Sequence, residues 1–130
     1  MKGAHPKLLA ISEEMRQWCA LLESELLTWP QVEARAMFGM LAFYRKGRIF
    51  CAVPRTRSPE KSNAVIFKLA NASPKLVATA LAHPNVTTDF MPKAGWMAFQ
   101  LESVDDVREA LGWFSGAYEL ACKKKARRPR

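Results

Sequence analysis

Acid–base, nucleophilic and metal chemistry need polar side chains held close together, most often histidines. This 130-residue chain has two, His5 and His83, far apart in sequence. His5 precedes the first expected helix, and His83 stands before Pro84 at the expected end of another, where the helix carbonyls would be its partners. The carboxylates are no more suggestive. Asp105 and Asp106 fit a helix start, Glu13 and Glu14 a solvated helix face, and Asp89 lies between threonine and phenylalanine on an expected strand. Cys19, Cys51 and Cys122 form no CxxC pair and sit on the apolar register of their segments, which suits buried thiols rather than a redox or catalytic centre. Neither GxxxxGK[ST] nor GxGxxG occurs. No catalytic residue, metal ligand or cofactor is therefore expected.

Positive charge is the stronger signal. Net charge is +8, and the last eight residues, KKKARRPR, hold six basic side chains: Lys123, Lys124, Lys125, Arg127, Arg128 and Arg130. Removing those six leaves +2 on residues 1–122, so the basicity is mostly that of a tail, 123–130, expected to be disordered and to attract nucleic acid nonspecifically. Two smaller clusters follow within the chain, Arg45, Lys46 and Arg48, then Arg55, Arg57 and Lys61. Five strand residues at about 3.3 Å each put the clusters ~17 Å apart, at opposite ends of one hairpin. A polyanion could touch both, a small anion could not. Lys46-Gly47-Arg48-Ile49-Phe50 also begins like the RNA-recognition strand, but Arg48 and Val53 replace its stacking aromatics.

The elements that must position these residues are legible from periodicity. Leu8, Ile11, Met15, Trp18, Cys19, Leu22, Leu26 and Trp29 recur every three or four positions, which predicts a helix over about 7–28, with Pro6 in its first turn and Pro30 beyond its end. From 32 to 69 the pattern becomes strand-like. Runs 41–44 and 49–53 flank a turn in which Gly47 supplies positive φ, 64–69 makes a further strand, and PRTRSPEKSN reads as a surface loop. On one sheet face Phe38, Leu41, Phe43, Ile49 and Cys51 are expected to pack, with Gly39 allowing a bend before the hairpin.

Ser73-Pro74 reads as an N-cap followed by proline at the first helical position, with Leu76, Val77, Ala80 and Leu81 as the apolar face. Runs 86–91 and 96–101 predict a second strand pair. Ser103 and Asp106 resemble a capping box for a last helix that buries Val107, Ala110, Leu111, Phe114, Ala117, Tyr118 and Ala121. Gly112 and Gly116 within it suggest a close approach to a sheet or helix. The expected fold is one α+β domain over residues 1–122: two layers, helices on an antiparallel sheet, in the order α-β-β-β(-β)-α-β-β-α. Half the residues are apolar, and no run approaches the roughly 20 that span a bilayer. A soluble, cytoplasmic protein with no membrane contact is the expectation.

Met37-Phe38-Gly39, then Tyr44-Arg45-x-Gly47-x-x-Phe50, then Gly95-Trp96-Met97 ahead of an acidic-capped helix, resembles the N-terminal domain of the TfoX/Sxy family of bacterial competence regulators. The related YjbR-like proteins share a similar order of helices and strands. The resemblance implies this fold, a non-enzymatic character without cofactor, and structural parts for Met37, Phe38, Gly39, Tyr44, Gly47, Phe50, Gly95 and Trp96. It also implies a link to transcription or competence regulation through protein or DNA contacts. Three functional expectations follow. One is a regulatory or adaptor domain that binds a protein partner or DNA. Another is a small-molecule-binding or weakly enzymatic domain with its pocket between the sheet and the last helix. The third is a self-associating domain, a homodimer.

Overall fold

Ser12 decides where the first helix begins. In the computed structural model, which describes residues 8–59, 63–70, 72–87 and 95–122, its backbone is extended and its hydroxyl accepts from the Met15 N–H at 3.1 Å. The helix α1 is Glu13–Leu26, with both glutamates at the positive end of its dipole. The periodicity that predicts a start near residue 7 is thus overruled upstream of Ser12. Leu8–Ala10 is a short strand, β1, paired antiparallel with Arg57–Pro59, and Ile11 N–H donates to the Thr56 carbonyl at 3.3 Å. Part of PRTRSPEKSN is therefore strand rather than loop. Three-residue strands are too short to show a period of two, which is why the sequence pattern hides them.

The remaining strands are β2 (Val32–Met37), β3 (Met40–Arg45), β4 (Arg48–Pro54), β5 (Arg57–Pro59, the partner of β1), β6 (Ala64–Lys68), β7 (Val86–Thr87) and β8 (Trp96–Gln100). Helix α2 is Pro74–Leu81 and α3 is Asp105–Cys122. Apart from the β1–β5 ribbon, the order is the expected one, and the six-stranded sheet runs β2-β3-β4-β6-β8-β7 with antiparallel neighbours throughout. Two-residue turns join its first three strands. Phe38-Gly39 has φ of 50° and 80°, and Lys46-Gly47 has 52° and 82°. Positive φ at both central positions is what matches a tight turn to the twist of the strands. Phe38 is consequently a turn residue, 81% exposed, and does not pack on the sheet as the sequence pattern predicts.

Between these turns the register slips. Phe43 faces Cys51 while the next residue, Tyr44, faces Ile49, so Phe50 is the extra residue of a β-bulge. Leu41, Phe43, Phe50, Cys51 and Val53 then share the core under the helices, and Ile49 falls on the opposite face rather than beside Cys51. The helix-side core is completed by Met15, Trp18, Leu22 and Leu26 of α1, Val65, Phe67, Met97 and Phe99 of the sheet, and Val107, Ala110, Phe114 and Tyr118 of α3. The outer face is a second buried cluster, built on Met40, Ala42, Ala52, Ala64, Ile66, Trp96 and Ala98.

Caps set the other helices. Ser73 Oγ accepts from Leu76 N–H at 3.2 Å with Pro74 at the first helical position, while Leu81 is half exposed rather than on the packed face. At α3 the Asp106 carboxylate accepts from the Glu102 and Ser103 amides at 2.7 and 3.2 Å. Among the described residues no helix is long and apolar enough to cross a membrane.

The glycines correct one expectation. A Cβ at Gly112 or Gly116 would meet nothing within 4 Å, so neither marks a close approach. Gly95 differs: at φ +84° a Cβ would lie 3.0 Å from the Ala70 amide nitrogen and 3.1 Å from its Cα. Both neighbours are backbone, held there by the 2.8 Å bond from Leu69 N–H to the Gly95 carbonyl. Gly112→Ala and Gly116→Ala should each raise stability by up to about 1 kcal/mol. Gly95→Ala should lower it by about 1–2 kcal/mol or more, from positive φ plus the clash. Urea denaturation of the three variants checks both signs.

Candidate functional site: a cationic cleft beside the last helix

The bulge that turns Ile49 outward also sets the first residues of β4 beside the end of β6. Cys51 pairs with Phe67, so Lys68, at the end of β6, lies beside the start of β4, close to Arg48. Helix α3 crosses the same end of the sheet. Arg48, Ile49, Lys68 and Ala70 on the sheet side, with Ala117, Leu120 and Ala121 of α3, line a cleft of about 310 Å³. Its walls are part apolar and part polar, and its two charged residues are both cations. Lys68 Nζ stands 5.7 Å from the centre of the Trp96 ring, an aromatic face that suits a cation. Lys46, exposed in the adjoining turn, adds charge to the same end. Beyond Cys122 the sequence continues directly into KKKARRPR.

Arg45 is used differently from its neighbours. Its guanidinium carbon lies 3.8 Å over the centre of the Tyr118 ring, and Nη1 donates to the Tyr118 carbonyl at 3.1 Å. Tyr118 in turn donates its hydroxyl to the Pro30 carbonyl at 2.8 Å and meets Phe50 and Trp29 edge-on at 5.5 and 5.1 Å. This cluster joins β3, β4, α3 and the chain after α1. Arg45 Nε is buried without a partner among the described residues, so the side chain is held there by stacking and one hydrogen bond from Nη1.

Arg55 sits at the opposite end of β4, as the strand geometry predicts. It makes a two-pronged contact with Glu23 of α1, Nη2 to Oε1 at 2.9 Å and Nε to Oε2 at 3.4 Å, and that carboxylate raises the arginine's already high pKa. A second cleft of about 260 Å³ lies here, lined by Arg16, Cys19, Glu23, Pro54, Arg55 and Thr56. Burial, with Glu23 adding to it, pushes the Cys19 thiol up to about 12, and burial also raises Cys51 well above the usual range. Neither supplies a thiolate near neutral pH. Arg57 belongs to β5 by its backbone. The side chains of Arg57 and Cys122, and Lys61, Asp89, His5 and the six basic residues of the tail, lie outside the described residues.

His83 departs from its expected place against helix carbonyls. Its Nδ1 accepts the Asn85 N–H at 3.0 Å, its Nε2 faces Glu109 at 3.1 Å, and its ring packs edge-on against Phe99 and Trp113. It ties the α2–β7 turn to α3. Among the described residues no three of His, Cys, Asp and Glu are placed to hold a metal ion. Of the family-motif residues, Phe38, Gly39 and Gly47 make turns, Phe50 fills the helix-side core, and Met37, Tyr44 and Trp96 belong to the outer face.

Lys68 is the site residue that sequence reasoning missed. Its signal was positional. The end of β6 lies beside the start of β4 in antiparallel pairing, so Lys68 falls near Arg48 although the two are 20 positions apart in sequence. Comparison of the chain with protein-family models, curated proteins and solved structures gives no match.

The two adjacent cations of the hairpin should separate in a stability assay. Arg45→Ala should cost about 2 kcal/mol, from a lost ring contact and charged hydrogen bond, whereas Lys46→Ala should stay within about 0.5 kcal/mol. Equal effects in chemical denaturation would remove Arg45 from the scaffold.

Proposed function

We propose that this chain is a small intracellular, non-enzymatic regulatory or adaptor domain of the TfoX N-terminal type, and that it acts by holding the backbone of a nucleic acid at its cationic end. One observation carries this reading: the 310 Å³ cleft lined by Arg48 and Lys68 lies against the last turns of α3, whose sequence runs on into six basic residues in eight. Ile49, Ala70, Leu120 and Ala121 shape a concave site around the two cations, in which a phosphate would meet both. The basic tail adds contacts without geometric demands. Nothing in this arrangement reads base edges, so the affinity would be that of phosphate contacts and sequence-independent.

Duplex DNA of arbitrary sequence, titrated at several salt concentrations and followed by fluorescence anisotropy, tests this. The slope of log K against log salt should be about −0.9 per neutralised phosphate. Replacing the six tail cations with glutamine should flatten it by several units, and Arg48→Ala or Lys68→Ala by about one each. An unchanged slope in all these variants, or no binding at low salt, would sink the proposal.

The size of the cleft favours a second reading, a small anionic metabolite, since about 300 Å³ is the lower end for small-ligand sites. A metabolite present at 100 times its dissociation constant should add about 2.7 kcal/mol of stability in a thermal-shift screen. Leu120→Trp, which fills the cleft, should abolish that gain and leave tail-driven DNA binding in place.

A further inference from the structure

The six-stranded sheet has two unequal edges. Among the described residues it ends on one side in β7, Val86–Thr87, and on the other in β2, six residues long, whose one neighbour there is β3. Which backbone groups of β2 face outward follows from the turn. Met37 and Met40 flank a two-residue turn and pair with hydrogen bonds, and bonded positions then alternate along the strand. Lys46 N–H donating to the Gln31 carbonyl at 3.4 Å fixes the same parity at the far end. Gln31, Glu33, Arg35 and Met37 therefore bond inward to β3. Val32, Ala34 and Ala36 direct their N–H and carbonyl groups away from the sheet.

An outward row of that kind is a template for another strand, and proteins that must not self-pair guard it with like charges, proline or a bulge. Here the strand is VEARAM, free of proline, and its exposed charges are one Glu and one Arg, each side chain 66% exposed. They lie two positions apart about Ala34. We infer that β2 pairs with β2 of a second copy of this chain, antiparallel about a two-fold axis at Ala34, to make one continuous twelve-stranded sheet.

The register follows from the charges. With Ala34 opposite its own copy, Val32 faces Ala36, and these are the hydrogen-bonded positions, using each outward donor and acceptor. Glu33 then faces Arg35 of the second copy at a non-bonded position, where cross-strand side chains come closest. The two-fold repeats that contact, so four charges alternate in sign. Glu33 and Arg35 already meet at 3.7 Å within one chain, and Arg35 lies over the Tyr44 ring with 5.1 Å to its centre, which holds the guanidinium on the outer face beside Glu33. Shifting the register by two residues would lose the matched pairs. Ala34 and Ala36 are small on the helix side, so two sheets can meet without bulky side chains between them. The inference is independent of the cationic cleft, which lies at the sheet end near the β3–β4 turn.

Sedimentation equilibrium of the full chain, from micromolar to near-millimolar concentration, measures it. The wild-type chain should show a monomer–dimer equilibrium that weakens with salt. Glu33→Arg and Arg35→Glu should each weaken the dimer by about tenfold or more, since each sets two pairs of like charges opposite one another. The double exchange, Glu33→Arg with Arg35→Glu, should restore it, because the pairing is then the same with signs reversed. Ala34→Pro removes an outward N–H that bonds nothing among the described residues, a position where edge strands accept proline, and should abolish the dimer while the thermal midpoint stays close to wild type. A wild-type chain that is monomeric throughout overturns the inference, and so does a dimer indifferent to the single charge reversals or not restored by the double exchange. If Ala34→Pro fails to fold, the charge exchange still decides. Binding of β2 to a strand of a different protein, with no self-association, would also overturn it.

Discussion

One extra residue in β4 governs much of this molecule. Because Phe50 is inserted where Phe43 faces Cys51 and Tyr44 faces Ile49, consecutive residues Phe50 and Cys51 both serve the helix side. Phe50 then stacks on Trp29, ring centres 6.3 Å apart and planes nearly parallel, and meets Tyr118 edge-on. Without the bulge, strict alternation would send Phe50 to the outer face and leave α3 without the ring that its Tyr118 packs against. The bulge also reverses Ile49, which becomes a wall of the cleft instead of part of the core. Core and candidate site are thus two consequences of one register slip.

Arg45 completes the constraint from the other strand. Arg45 is half-buried, and the Tyr118 carbonyl and ring meet its guanidinium while Nε has no partner among the described residues. The carbonyl lies near the end of α3, just before the four carbonyls that lack intrahelical partners, where the dipole favours a positive charge. Arg45 thereby ties β3 to the last turns of α3, the same turns that line the cleft through Leu120 and Ala121. Of the three basic residues at the hairpin, Arg45 holds the scaffold, Arg48 lines the cleft and Lys46 is exposed in the adjoining turn.

Most of the fold was legible because its signals are local. The turn at Gly47 needs positive φ that only a few residue types supply, and Ser73-Pro74 and Ser103 to Asp106 carry capping chemistry within four positions. What was hidden depends on partners distant in sequence. A bulge is defined only once two strands are paired, so Ile49 was placed on the wrong face. The β1–β5 ribbon joins residues nearly 50 positions apart, and its strands are too short for alternation to outweigh the helical spacing of Leu8 and Ile11. Phe38 misled for a chemical reason: an aromatic residue predicts burial, but its place in a two-residue turn required exposure.

Candidate function followed the same division. Charge clusters were visible as runs, yet runs do not say which charges the fold consumes. Arg45 and Arg55 both looked like surface cations, and each is engaged by a partner from a distant element, Tyr118 and Glu23. Lys68 looked like an ordinary strand residue and stands at the cleft. The described end of the sheet with Lys46, Arg48 and Lys68 is basic, whereas the β2 edge carries matched opposite charges. Two surfaces with such different electrostatics suit different occupants. A like-charged end would repel a second copy of itself and attract a polyanion, and a charge-matched edge has little attraction for a polyanion but complements its own two-fold image.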